Sequence, residues 1–462
     1  VRTARTAEAR FLRAFAYFNM VKRYGGVPLI LKAQQLSDSP EELYPKRATE
    51  EAVYQFILDE MNDIIDNRLL PDAYGAADLG RPTLYAAAAL KSRAAMYAGS
   101  IASWGTVQLD GLVGIPADKK EHFWQESLNA SNRLLYGSPF ALYEKYPDDR
   151  SKNYRNIFLD ENNCEVIFSE IYDGKSGKGH SWDMWQNPSG YNAWAGGQQN
   201  CVYLEFVESY ENIDGSDPTI DREKVAQYYT WTLDELWGKK DPRFKASIYT
   251  QGTPWTHEGA SVTLDYRVGI FVDGQWINDG FYEGVPALGV CANNWRPTPF
   301  GILKYLDESS AMIPERYYSK TDWIVFRLGE IYLNFAEAAF ELNKPDSALW
   351  AVNKIRARAG MPELQSITRE QIRHERKIEL AFEGNRYWDV RRWRTAVQDL
   401  SHAWHGMRYK LDWATQKYYV EIVDNICGTP EPYFNEMHYY WPIAQSRTQQ
   451  NPNLLPNNPG WR

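Results

Sequence analysis

The segment from Ser366 to Trp393 constrains the fold more than any other stretch of the chain. Thr368 is a favourable N-cap residue, and Gln371 stands three positions later, which is the spacing of a capping box. Apolar side chains follow at close to helical spacing, at Ile372, Ile378, Ala381, Phe382 and Trp388. This pattern predicts a helix running through the segment.

Opposite charges stand three residues apart along the same segment, as Arg376/Glu379, Glu383/Arg386, Arg386/Asp389 and Asp389/Arg392. A helix makes residues at this spacing neighbours. Exposed ion pairs would each stabilise the chain by less than about 1 kcal/mol, whereas buried pairs fix orientation more than they stabilise. Because aromatic residues are interleaved with the charges, we expect a helix packed inside the protein and held by an ion-pair network.

Amphipathic helices are also predicted at both ends of the chain. They cover Thr6–Tyr24, Thr49–Leu70 with Thr49 as N-cap, Thr83–Ser100, Phe123–Tyr136, Ile324–Leu342 and a segment from Pro345 to about Gly360. The N-terminal ones form helical hairpins of about 35 residues, close to the tetratricopeptide period. The sequence therefore predicts a mainly α fold with a tetratricopeptide-like scaffold.

The middle of the chain differs in composition, because it is rich in Gly, Pro, Asn, Asp and Trp, and its periodic runs of apolar residues are short. Short strands are predicted at Glu165–Ile171 and Phe244–Tyr249, and part of a hairpin at Gly269–Trp276. Long loops inside a compact protein are usually functional or disordered, and the many aromatics argue against disorder. We predict a helical part (1–145), a large loop-rich insertion that binds ligand (146–321) and a C-terminal helical part with a tail (322–462), forming one compact unit.

The composition excludes several classes of function. The net charge of −9 argues against nucleic acid, since phosphate binding needs clustered Lys and Arg. The four cysteines show neither CxxC nor Cys/His spacing, so we expect no structural metal, and we expect no cofactor. The 18 tryptophans exceed what a core needs, which favours an aromatic surface for a ligand.

The loop from Asp173 to Asn200 is the first candidate binding site. Four aromatics stand among its glycines and amides, at Trp182, Trp185, Tyr191 and Trp194. The faces of sugar rings carry apolar C–H groups that stack on aromatic side chains, and amides and carboxylates bind the hydroxyls. The alternative is that these aromatics form a small core beneath a long loop.

Two further candidates follow the same argument. One lies between Gly274 and Trp295 and comprises Trp276, Asn278, Asp279 and Trp295, with Tyr282 near them. The other is Trp104, just after a predicted helix end. For both, packing inside the protein remains the alternative to ligand binding.

No catalytic motif stands out. Ser169 occupies the position of the first glycine of a P-loop ending at Gly174-Lys175-Ser176. Ile378 stands where a zincin helix has its second histidine after His374-Glu375. Asp173, Asp183 and Asp279 are available as acids on the aromatic loops, but nothing selects a catalytic pair.

Motifs along nearly the whole chain resemble the SusD/RagB family of outer-membrane nutrient-binding lipoproteins of Bacteroidetes. In chain order they are Arg10–Ala14 with Tyr24–Leu29, Gly80–Thr83 before an Ala-rich helix, Tyr210 with Asp214-Gly215, Phe326–Glu330 with Ala336–Ala338, Asn353–Gly360, Glu375–Asp389, and Trp441–Ile443 with Asn451–Leu454 and Asn458–Trp461. Each motif is weak alone, and seven in the right order are specific. One departure is Ala444, which stands where the family has the second proline of its "PIP" motif.

The resemblance implies a right-handed helical scaffold and a non-catalytic protein that captures oligo- or polysaccharide at the cell surface. It implies delivery to a SusC-type TonB-dependent transporter and a lipid anchor on a segment preceding Val1. The ligand site varies between members and lies in loops. Three alternatives stay open: a peptide-binding member of the family, a helical glycoside hydrolase or lyase, and a pure assembly module.

Overall fold

Helices dominate the computed structural model, which describes residues 2–174, 177–191, 197–292, 296–308, 317–428 and 431–461. In chain order the helices are α1 (Arg2–Tyr24), α2 (Pro40–Leu43), α3 (Glu50–Asp66), α4 (Leu84–Trp104), α5 (Lys120–Gly137), α6 (Arg150–Asn156), α7 (Trp182–Gln186), α8 (Leu204–Glu208), α9 (Arg222–Ala226), α10 (Leu233–Trp237), α11 (Pro242–Ser247), α12 (Leu328–Glu341), α13 (Pro345–Ala359), α14 (Arg369–Glu379), α15 (Arg386–Arg392), α16 (Ala396–Asp399) and α17 (Gln445–Gln450).

The strands are short and lie mostly in the middle of the chain. They are β1 (Val166–Glu170), β2 (Thr230–Trp231), β3 (Ile248–Tyr249), β4 (Pro254–His257), β5 (Ala260–Thr263), β6 (Arg267–Val272), β7 (Gln275–Ile277), β8 (Phe281–Tyr282), β9 (Val285–Pro286), β10 (Gly301–Ile302), β11 (Trp323–Arg327), β12 (Gly406–Asp412) and β13 (Lys417–Val423).

The long helices pack side by side in a stack, with α1 on α3, α3 on α4, α4 on α5, α5 on α12, and α12 on α13 and α14. Thr49 and Thr83 begin α3 and α4 by accepting hydrogen bonds from the backbone N–H groups of Ala52 and Ala86. The predicted N-cap at Thr49 is therefore confirmed. Helix α4 is buried on almost every side because it is built from small residues. A Cβ added at Gly99 would lie 2.8 Å from the Trp124 indole of α5, which shows how closely the two helices approach.

One apolar core joins the two ends of the chain. It includes Phe11 of α1, Ile57 of α3, Leu128 of α5 and Ile331 of α12, all buried. The prediction of a mainly helical, tetratricopeptide-like scaffold with a strand-containing insertion is confirmed.

The insertion carries a second core and a five-stranded sheet in the order β2-β13-β12-β6-β7. The predicted hairpin is present, since β6 pairs antiparallel with β7. The sequence analysis missed the β12–β13 hairpin, which comes from the C-terminal part and lies parallel to β6 through β12. The strand predicted at 244–249 is wrong over most of its length. Asp241 caps a helix there, with Pro242 at its first position, and only Ile248–Tyr249 is a strand.

The helix predicted over Ser366–Trp393 is two helices. The capping box of Thr368 and Gln371 starts α14 as predicted, but α14 ends at Glu379 and α15 starts at Arg386. Phe382 and Gly384 adopt left-handed backbone conformations between them, with φ of 62° and 76°. The break turns Glu383 away from Arg386, so the i,i+3 pattern does not continue across it.

The predicted ion-pair network exists, but most of its partners differ from those predicted. The Asp389–Arg392 pair is present at 2.9 Å. Arg376 pairs with Asp389 at 2.8 Å rather than with Glu379, and Arg386 lies 3.5 Å from Asp399. Three of the four predicted pairs are therefore wrong, because tertiary neighbours compete with sequence neighbours for each charge.

Glu379 and Glu383 belong to a buried cluster that joins the insertion to the scaffold. We call this the buried ion cluster; it comprises Glu165, Arg243, Lys304, Arg327, Arg358, Glu375, Glu379 and Glu383. Arg327 Nη1 lies 2.8 Å from Glu165 and 2.7 Å from Glu379, and its Nε lies 2.7 Å from Glu383. Burial alone would raise the pKa of Glu379, but Arg358, Arg327 and Arg243 hold it well below its ordinary value.

No helix in the described part of the chain is both long enough and apolar enough to cross a bilayer.

Candidate functional site

A cavity of about 630 Å³ opens where the insertion meets the start of β11. Its walls are mainly aromatic, with a few polar groups among them. The lining residues are Tyr172, His180, Ser181, Trp182, Trp185, Gln186, Gln199, Tyr305, Thr321, Asp322 and Trp323. We call it the aromatic cavity.

Helix α7 supplies one wall. Trp182 and Trp185 are three residues apart on this short helix, so both indoles reach the same side. The residues between them, Asp183 and Met184, are buried. Trp182 is held at both its backbone and its ring, because its N–H donates to His180 Nδ1 at 3.1 Å and its indole Nε1 donates to the Lys304 carbonyl at 3.2 Å. The ring is half-buried and presents the rest of its surface towards the cavity.

Trp323 and Tyr305 form a second part of the wall. Their rings stack with centroids 5.1 Å apart and an interplanar angle of 28°. Trp323 is the first residue of β11 and is 38% exposed. Tyr305 is buried and has a left-handed backbone with φ of 64°. The stacked pair keeps an indole available at the mouth of the cavity.

The polar groups on the wall are held by the backbone. Asp322 Oδ1 accepts a hydrogen bond from the backbone N–H of Tyr172 at 2.9 Å, and burial raises the pKa of this carboxyl to about 6. The Tyr172 and His180 rings meet edge to face at 4.8 Å. The His180 backbone pairs with that of Ser319 in both directions, at 3.1 and 3.0 Å.

Behind α7, the carboxyl of Asp183 faces away from the cavity. Its Oδ1 accepts from the Asp307 backbone N–H at 3.0 Å, and its own backbone N–H donates to Ser319 Oγ at 3.1 Å. Oδ2 is buried without a hydrogen-bond partner among the described residues. Burial raises the pKa of Asp183 to about 7.

The structure brings together Trp182 and Trp185 from the first predicted site. Tyr191 is half-buried outside the lining, with its ring 5.0 Å from that of His257. Trp194 and Trp295 lie outside the described residues. The predicted roles of these residues in binding stay predictions.

The second predicted site lies apart from the lining of the aromatic cavity. Trp276 packs on the sheet of the insertion, 4.8 Å from Phe271 and 5.1 Å from Tyr419, with Lys410 Nζ 5.1 Å above its ring. The neighbouring Asn278 and Asp279 are exposed. A ligand role for these three residues also remains a prediction.

Trp104 lines a different cavity of about 430 Å³, next to Arg394 and Tyr440. Its ring lies 6.1 Å from Trp124 and 4.8 Å from the Arg373 guanidinium. These contacts fit a residue packed at a helix end, and a ligand role for Trp104 stays a prediction.

Five of the described lining residues lie outside the loop that the sequence analysis predicted to bind ligand: Tyr172, Tyr305, Thr321, Asp322 and Trp323. Four more lie inside that loop but were not singled out: His180, Ser181, Gln186 and Gln199. The available signal was the position of Trp323 and Asp322 at the boundary predicted between insertion and helices, at 321/322. Nothing in the sequence shows that this boundary lies opposite α7, because the contact joins segments about 140 residues apart.

Comparisons with known proteins agree with one family along the chain. A family model described as "SusD family" matches residues 164–461. Another, described as "Starch-binding associating with outer membrane", matches residues 2–96.

Individual relatives cover almost the whole chain. A SusD-like protein, P25, from Formosa agariphila is 24% identical over 484 residues, covering 99% of this chain and 73% of its own length. A crystal structure of a SusD-like protein from Bacteroides fragilis matches with a TM-score of 0.75 and 26% identity, over 99% of this chain and 80% of that one. A SusD-like carbohydrate binding protein from the same organism matches with a TM-score of 0.69 and 24% identity, over 98% and 80%. The chain spans between 63% and 73% of the length of three curated relatives.

Proposed function

The chain belongs to the SusD family, and from that premise we propose that it is a non-catalytic binding protein for an oligo- or polysaccharide at the cell surface. The observation that carries the proposal is the aromatic cavity, where Trp182, Trp185 and Trp323 present indole surface beside a few fixed polar groups. A pyranose ring needs this combination, since its faces are apolar and its edge carries hydroxyls. The volume of about 630 Å³ lies within the usual range for small-ligand sites.

The comparisons support the ligand class and the location. One structural relative is named a SusD-like carbohydrate binding protein, and the model that matches the N-terminal helices is described as starch-binding and associated with the outer membrane. We therefore place this protein at the outer membrane. Its proposed partner is a SusC-type TonB-dependent transporter, and its proposed attachment is a lipid anchor on a longer precursor.

A glycosidase would need two carboxyl groups flanking the bond to be cleaved. Among the described lining residues, Asp322 is the one carboxylic acid. Asp183, next to Trp182 in sequence, faces Asp307 and Ser319 behind the wall. This arrangement favours binding over hydrolysis.

Titration calorimetry of the purified chain against a panel of polysaccharides and a mixed peptide library tests the proposal. We expect binding to at least one polysaccharide and no release of reducing sugar during prolonged incubation. Trp323→Ala should weaken that binding, whereas Tyr136→Ala should not, since Tyr136 is a 69% exposed aromatic on the scaffold helix α5. Binding of peptides alone would overturn the ligand class, and sustained sugar release would overturn the non-catalytic role.

A further inference from the structure

The described residues on the wall of the aromatic cavity carry negative charge only. Among the described lining residues, Asp322 is the one with an ionisable carboxyl, and lysine and arginine are absent. Asp322 is 8% exposed, with Oδ1 bound to the Tyr172 backbone N–H. A carboxylate has about four lone-pair sites, so acceptor capacity remains for a ligand hydroxyl.

His180 is the remaining lining residue that could carry positive charge, and its hydrogen bonds keep it neutral. Its Nε2 lies 2.9 Å from the Thr321 carbonyl, which only accepts, so Nε2 carries the hydrogen. Its Nδ1 accepts from the Trp182 backbone N–H, so Nδ1 carries none. Burial also lowers the pKa of His180. The imidazole therefore offers no cation to an anionic ligand.

The other described charged groups near Asp322 do not neutralise the wall. The charge of Glu161 raises the pKa of Asp322, and the charge of Lys178 lowers it. The charge of Glu170 raises the pKa of His180, against the larger effect of burial. Lys178 is exposed, with Nζ 5.9 Å from the Tyr172 ring centroid. Water screens such an exposed charge much more than it screens the buried carboxyl.

From this geometry we infer that the aromatic cavity selects an uncharged saccharide, and that Asp322 determines this specificity. The inference rests on the proposed function and narrows its ligand to glycans without uronate or sulfate groups in the bound segment. Asp322 accepts hydrogen bonds from the hydroxyls of a neutral sugar. The same carboxylate opposes a carboxylate or sulfate, which would lose water beside a like charge, with no cation among the described lining residues to replace that water.

Pairs of polysaccharides that share a backbone, of which one member carries charged groups, test the inference. The probes are laminarin and sulfated laminarin, dextran and dextran sulfate, and homogalacturonan with and without methyl esters, measured by affinity electrophoresis and calorimetry. In any pair that binds, we expect the uncharged member to bind roughly ten-fold or more tightly than the charged one.

Asp322→Asn tests the residue itself. The variant should bind the neutral member about ten-fold more weakly, because the amide oxygen of asparagine is a neutral and therefore weaker acceptor than the carboxylate. It should also bind the two members of a pair with more similar affinity. Glu363→Gln is the matched control, because it removes an exposed carboxylate from the loop after α13. Far-ultraviolet circular dichroism and melting curves establish that each variant is folded.

The wild-type chain gives an independent test that needs no variant. Because the Asp322 pKa is about 6, its carboxyl is mostly protonated at about pH 5 and ionised at about pH 8. The preference for the uncharged member should therefore be smaller at the lower pH.

The outcomes separate the two proposals. Tighter binding of a charged member overturns the inference and leaves carbohydrate binding intact. The preference for the uncharged member could also be the same in Asp322→Asn as in the wild type, or the same at both pH values. Either result would show that Asp322 does not determine the specificity. Failure to bind any polysaccharide, charged or neutral, overturns the proposed function together with the inference.

Discussion

The indole Nε1 of Trp182 donates a hydrogen bond to the backbone carbonyl of Lys304, 3.2 Å away. The ammonium group of the same lysine lies 2.6 Å from Glu383 and also donates to the Tyr154 hydroxyl and the Ala381 carbonyl, both at 2.8 Å. One residue thus connects the wall of the aromatic cavity to the buried ion cluster. The position of the indole is fixed by the scaffold as well as by its own loop.

Trp182→Ala should weaken polysaccharide binding by about 1–3 kcal/mol, the range of an aromatic hot spot. The free energy of unfolding should also fall by about 2 kcal/mol, less than the 3–5 kcal/mol of a fully buried tryptophan, because the ring is half-buried. Calorimetry and urea denaturation measure the two effects. Trp182→Phe is the intermediate variant, since it keeps a smaller aromatic face and loses the N–H to Lys304. Unchanged affinity with a lowered melting temperature would assign Trp182 to packing alone.

Lys304→Met should destabilise the protein by about 3–5 kcal/mol, because it leaves the buried Glu383 with Arg327 as its remaining ionic partner among the described residues. Lys245→Met is the control, and it should change stability by less than about 0.5 kcal/mol because Lys245 is exposed on α11. Urea denaturation of both variants gives the comparison. If Lys304→Met lowered the free energy of unfolding no more than Lys245→Met does, Lys304 would add no stability through the buried ion cluster.

Substituting either of two arginines in the Ser366–Trp393 segment by alanine should lower the free energy of unfolding by very different amounts. Arg376 is buried, with Nε 2.8 Å from Asp389 and Nη1 2.7 Å from the Asn334 amide oxygen, so Arg376→Ala should cost about 3–5 kcal/mol. The Arg386 side chain is 38% exposed and lies 3.5 Å from Asp399, so Arg386→Ala should cost about 1 kcal/mol or less.

Neither arginine lines the aromatic cavity, so ligand affinity of the folded variants should stay unchanged. Thermal and chemical denaturation, followed by calorimetry, check both statements. A larger loss for Arg386→Ala than for Arg376→Ala would contradict the assignment of the buried pair.

Asp183 should make stability fall as the pH rises. Burial raises its folded-state pKa to about 7, and an unfolded aspartate has a pKa of about 3.9. The folded state therefore holds the proton more tightly, and the free energy of unfolding should decrease between about pH 4 and about pH 7, by at most about 4 kcal/mol.

Asp183→Asn should remove the contribution of Asp183 to this decrease and leave that of other buried carboxyls such as Asp322, since an amide does not titrate and can still accept from the Asp307 N–H. The comparison is between melting curves of the wild type and the variant across that pH range. Asp148→Asn is the control at an exposed aspartate and should keep the wild-type profile. If the stability of the wild type and of Asp183→Asn changed in the same way with pH, the raised pKa of Asp183 would be refuted.

Local signals predicted most of the helices. The helix predicted at Ile324–Leu342 was wrong at its start, because Trp323–Arg327 pairs with β1 as strand β11 and α12 begins at Leu328. The caps at Thr49 and Thr368 and the apolar stripe of α12 depend on residues within a few positions of one another, so the sequence contains all that decides them. The same reasoning from sequence spacing failed for most of the ion pairs. Glu379 is placed three residues from Arg376, but Arg243, Arg327 and Arg358 reach it from other elements.

In the candidate site, too, residues with a local signal were predicted and residues brought together by long-range contacts were not. Trp182 and Trp185 were predicted because their chemistry is visible in one loop, and the structure places both on the aromatic cavity. Trp323 and Tyr305 were not predicted, because a tryptophan at the start of a strand and a tyrosine in a loop carry no local mark of a shared wall. The β12–β13 hairpin was missed because the C-terminal part was interpreted as helices and a tail.

The sequence by itself determined the helical frame, the aromatic character of the insertion and the membership of the family, because periodicity, capping and ordered motifs are properties of neighbouring residues. Only the tertiary structure decided which aromatics share a cavity, which carboxyl lies on its wall and which charges are paired. Those relationships join segments more than a hundred residues apart, and their free energies depend on burial and distance, which residue spacing along the chain does not specify.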